Sequence, residues 1–81
     1  MTGLGEPALR HAERCLAIVE ANPDNMDEFD LPFAHEALAR AHRVGGAEDE
    51  AGRYERLARE TGASMTDAED VEHLEEALST L

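Results

Sequence analysis

The chain has 81 residues, with 19 Asp and Glu against seven basic residues, all of them Arg, for a formal net charge of −12. That length predicts one domain with a thin core, and a negative field of this size disfavours nucleic acid and anionic membranes as partners. A single cysteine, Cys15, excludes an internal disulfide, and no apolar run approaches the ~20 residues of a membrane span.

The N-terminal Met-Thr-Gly-Leu-Gly-Glu-Pro lacks the basic-then-apolar order of a signal peptide, so a reduced, cytoplasmic setting is expected. The first helix is predicted over about residues 6–21. Pro7 suits a first turn, where its missing N–H costs nothing. Ala8, Ala12, Cys15, Leu16 and Val19 recur at helical spacing and give one apolar stripe. Asn22-Pro23-Asp24-Asn25 then breaks the helix.

The second helix is predicted over about residues 30–44, with Asp30 as N-cap and Pro32 in the first turn. Its expected apolar face is Ala34, Ala37, Leu38, Ala41 and Val44. Gly45-Gly46 ends it by supplying a left-handed conformation. The third helix is predicted over about residues 47–61. Glu48, Asp49 and Glu50 complement its dipole, and Ala51, Tyr54, Leu57 and Ala58 form the stripe. Asp49–Arg53 and Glu55–Arg59 are spaced to pair on the solvent face.

The fourth helix is predicted over about residues 66–80. Thr66 and Glu69 have capping-box spacing, and Val71, Leu74, Leu78 and Leu81 make the stripe. From Glu60 onward the chain holds Glu60, Asp67, Glu69, Asp70, Glu72, Glu75 and Glu76 with no Arg or Lys. Such a run is ordinarily a solvated face, or it docks a basic partner. Acids near the helix C-terminus oppose its dipole. Helix four is therefore expected to be the least stable, with amide protection that rises with salt. The acid excess also fits a high-salt cytoplasm, and a GC-rich genome gives the same Arg and Ala bias.

Leu38-Ala39-x-Ala41, Gly46, Glu50-Ala51, Tyr54 and Ala58 resemble a tetratricopeptide repeat over residues 31 to 62. His35 and His42 stand where that family carries aromatics, and its closing proline is absent. Gly3, Ala8, Ala12 and Cys15 look like the turn and second helix of a preceding repeat. The distance from Ala8 to Ala51 exceeds the ~34 residues of a standard repeat. The resemblance implies an all-α fold of antiparallel helical hairpins, a fragment of about four helices from a right-handed α-α superhelix. Longer relatives carry one more helix before the position of Gly3. Without it, helix one is expected to leave an apolar edge that a second subunit covers, making a homodimer.

The resemblance also implies that Phe33, Glu36, Arg40 and Arg43 line a concave groove, where two guanidiniums can clamp carboxylates. The ordinary alternative is paired or solvated arginine. His11 and Cys15 share a face, as do His35 and His42, and such groups bind zinc only when three or four ligands converge. Core packing and solvation are the nearer explanations. His35-Glu36 lacks the second His of a zinc-protease helix, since residue 39 is Ala. Three aromatics are too few for base stacking, and no nucleophile grouping or phosphate loop is present.

These features predict a non-enzymatic, self-associating protein-interaction module that needs no cofactor. Its partner is a protein or peptide, with no nucleic acid and no membrane. The alternative is a small metal-binding protein or metal-dependent enzyme built on His11, Cys15, His35 and His42.

Overall fold

The computed structural model describes residues 6–81 and is all-α. The order is α1 (Glu6–Ala21), a 3-10 turn (Pro23–Asn25), α2 (Asp30–Val44), α3 (Glu48–Gly62) and α4 (Ala68–Ser79), with no strand among the described residues. Successive helices form hairpins around α2. Helices α1 and α3 both pack on it, and α4 rests on α2 and α3 together. The described body measures 41 × 27 × 17 Å. Gly3, read above as a turn residue, lies outside the described residues.

The central place of α2 explains why its buried surface is wider than one stripe. Ala34, Leu38 and Ala41 are buried as expected, but so are Pro32, His35 and Ala39. A helix covered from two sides buries a broad arc. Val44, placed on the apolar face by its spacing, is 59% exposed because it ends the helix. Among the described side chains of α1 only Ala12 is buried, with Cys15, Leu16 and Val19 half-buried and Ala8 exposed. Among the described residues α1 packs chiefly on α2, which covers one narrow strip of it. Ala39, Ala51 and Ala58 are fully buried, which is what close helix approach requires.

Of the Gly45-Gly46 pair, only Gly46 needs to be glycine, with φ +83°. Ala47 N–H donates to His42 O at 2.8 Å and Gly46 N–H to Arg43 O at 3.1 Å. These are the two bonds of a Schellman C-terminus.

The caps differ from the sequence expectation. Asp30 lies inside α2, and its carboxylate accepts from Asp27 N–H at 2.9 Å. Asp67, not Thr66, caps α4, accepting from Glu69 N–H at 2.9 Å and Asp70 N–H at 3.1 Å. Thr66 is committed elsewhere, to Glu28. Arg53 pairs with Glu50 at 3.4 Å rather than with Asp49, while Arg59 pairs with Glu55 at 3.3 Å as its spacing suggests.

Candidate functional site

Phe33, Glu36, Arg40 and Arg43 share one side of α2, and the structure brings them together beneath α4. Phe33 packs against a cluster of Ala58, Met65, Leu74 and Leu78, joined by Val71 and Leu81. The groove expected from sequence is thus occupied by the chain's own last helix. Gly62 is the seat. A Cβ there would overlap Leu74 Cδ2, so glycine lets α4 approach α3 closely. Beside this contact, Arg59, Gly62, Ala63, Met65, Val71, Leu74, Glu75 and Leu78 line a cleft of about 280 Å³.

Both ends of α4 are held by polar groups from distant parts of the chain. At the N-terminal end, the Glu28 carboxylate accepts from Thr66 N–H at 2.7 Å, Asp67 N–H at 2.8 Å and Thr66 Oγ1–H at 2.8 Å. These bonds, led by that from the Asp67 amide, hold the Glu28 carboxyl below its usual range. Nearby, desolvation raises the Asp70 carboxyl, and the charges of Asp67 and Glu28 add to the effect.

At the C-terminal end, Arg40 acts as a fork. Its Nε donates to Glu36 Oε2 at 2.9 Å, and its Nη2 donates to Ala77 O and Thr80 Oγ1, both at 2.8 Å. Arg43 Nη1 donates to Leu81 O at 3.2 Å. Its Nη2 lies 3.5 Å from Glu55 Oε1. Its Nε is buried without a hydrogen-bond partner, 3.8 Å from the exposed Glu48. Helix α4 has no basic residue in its last turn. The cations that its dipole and open carbonyls call for come from α2 instead.

The histidines lie on another face. His42 stacks on Tyr54, with ring centroids 5.4 Å apart and planes within 3°. His35 lies 6.2 Å from the same ring, and the Arg53 guanidinium sits 5.4 Å from its centroid. His35 is buried, with Nδ1 3.3 Å from Thr61 Oγ1. The Thr61 hydroxyl also donates to Leu57 O at 2.8 Å. Burial pushes the His35 pKa down, opposed by the Glu20 charge and by a hydrogen bond at Leu57.

His11 Nε2 lies 3.7 Å from Cys15 Sγ on the exposed α1. Among the described residues, no three His, Cys, Asp or Glu side chains converge to hold a metal ion, and no helix is long and apolar enough to cross a membrane. Comparison of the chain with protein-family models, with curated proteins and with solved structures finds no match.

The residues that sequence reasoning missed are Glu28, Gly62 and Met65. Met65 lies in the connection before α4, where no helical period flags it. Gly62 reads as a helix end. Glu28 sits in a polar loop, where nothing local distinguishes it from its solvated neighbours.

Proposed function

We propose that this chain is a non-enzymatic protein-interaction and assembly module of tetratricopeptide type, acting in the cytoplasm as a homodimer. The observation that carries the reading is the one-sided packing of α1. That helix rests on α2 through Ala12, while Arg10, Arg14, Ala17 and Ala21 on its far side are exposed and Ile18 there is 56% exposed. Stacked helical repeats bury such a face against the next unit. An isologous contact between two α1 helices meets the same need. Two exposed arginines on that face, Arg10 and Arg14, offset part of the acidic charge that a second copy would meet there.

Sedimentation of the wild type and of Ile18→Glu tests this. At ~0.15 M salt, where repulsion between the acidic chains disfavours other contacts, the wild type is expected to run as a dimer and the variant as a folded monomer. A wild-type monomer at high protein concentration, or a dimer untouched by Ile18→Glu, would overturn the α1 contact.

A further inference from the structure

We infer that α4 is exchangeable, so that the groove it fills in its own chain also receives α4 from a second copy of this chain. The inference rests on the self-association proposed above and assigns it a second surface, distinct from α1. Helix α4 already shows which chemistry the groove accepts. It is an amphipathic helix whose leucines sit on Phe33, Ala58 and Gly62. It carries Glu69, Asp70, Glu72, Glu75 and Glu76 with no Arg or Lys. The groove that receives it presents Arg40 and Arg43 to its last carbonyls.

Every one of these contacts can be made identically by another chain's α4, which is why exchange of an element costs little beyond bringing two chains together. The connection is suited to it. Ala63 and Ser64 are exposed, and their side-chain and main-chain hydrogen bonds go only to the end of α3. From Met65 onward the chain is buried under α4 or clamped by Glu28, and the one main-chain bond that spans 63–64, from Met65 N–H to Gly62 O at 3.1 Å, is the bond that exchange must open. A two-residue hinge at 63–64 therefore separates the receptor from its occupant. Charge sets the condition for exchange. Two chains of net −12 repel, and salt shortens the reach of that repulsion while the apolar seat is unaffected.

Complementation between two full-length variants tests the inference. One combines Gly62→Ala with Arg40→Glu, which spoils the seat and the C-terminal clamp but leaves α4 intact. The other combines Leu74→Ser with Leu78→Ser, which spoils α4 but leaves the groove intact. Isotope-labelled groove variant alone is expected to show rapid amide exchange over 68–79. Unlabelled α4 variant is then added to about 1 mM, matching the local concentration that a short tether provides, in ~1 M salt. Protection over 68–79 is expected to rise at least tenfold, with 30–62 unchanged. No gain over 68–79 would overturn the inference.

A second measurement does not depend on those variants. Arg40→Cys and Thr80→Cys are placed in separate Cys15→Ser chains and joined by a short bismaleimide. An interchain link is expected, and its absence at the same salt would also overturn exchange. Ile18→Glu leaves both results unaltered if only the α1 contact is wrong, so the two proposals fail separately.

Discussion

Replacing Leu74 with alanine probes how α4 is held. Leu74 is 4% exposed and packs among Ala58, Met65 and Leu78, directly over Gly62. Removing three carbons forfeits about 2.4 kcal/mol of burial at ~0.8 kcal/mol per methylene. A cavity contribution is added, since Leu→Ala in well-packed cores costs ~2.7–5 kcal/mol. The cleft already open beside this side chain, about 280 Å³, lets water reach the vacated space. The expected cost therefore falls in the lower part of that range, about 3 kcal/mol. A chain of this size holds on the order of 4–12 kcal/mol in total, so the loss is a large share. Thermal melting is expected to drop by about 15 °C. Native-state amide exchange localises the effect. Protection over 68–79 should fall about a hundredfold, the equivalent of ~3 kcal/mol, and α2 and α3 should lose less. A fall below fivefold over α4, or equal losses along the whole chain, would refute the picture of α4 as a separately docked helix.

Four further outcomes follow from the same contacts. Arg40→Met removes the donor to Ala77 O and Thr80, and with that side chain part-exposed it should cost about 1 kcal/mol, read as faster exchange in the last turn of α4. Glu28→Gln should speed exchange at Thr66 and Asp67 at neutral pH. In the wild type those two amides should open only as acid protonates Glu28 below its ordinary 4.5, whereas the variant should show no such step. His35, lowered from 6.5 by burial, stays neutral in the folded chain while the unfolded chain takes up a proton. Stability should therefore be full above pH 6.5 and decline as pH falls toward the folded value, a slope that His35→Phe should abolish in melts at pH 7 and pH 5. Asp70, shifted upward, works against both trends below that range, because its protonation favours the folded state. Gly46→Ala should cost about 1 kcal/mol at φ +83°, while Gly45→Ala at φ −80° should be neutral in the same chemical denaturation experiment.

The helices were legible because the relevant signals are local. The apolar period, Pro7 and Pro32 in first turns, and Gly46 at a helix end each act within one turn of the chain. The Phe33, Glu36, Arg40 and Arg43 set was also legible, since these residues share a face of one helix. What covers that face was not. The expectation of an unstable α4 weighed only α4's own charges, yet its carbonyls are met by Arg40 and Arg43, nearly forty residues earlier. Its first-turn amides are capped locally by Asp67, one residue beyond the expected Thr66, while the segment just before the helix is held by Glu28. Clamps that join distant segments leave no period or spacing to read. Val44 and Ala8 illustrate the converse, for a stripe shows which residues are apolar but not how far the neighbouring helix extends.

The most direct test of the account is the molar mass of the full chain in solution by light scattering, at ~0.15 M and ~1 M salt, where screening differs severalfold. Twice the 8.8 kDa chain mass is the predicted result, with the dimer fraction larger at the higher salt. A folded monomer of 8.8 kDa in both conditions would contradict self-association through either surface.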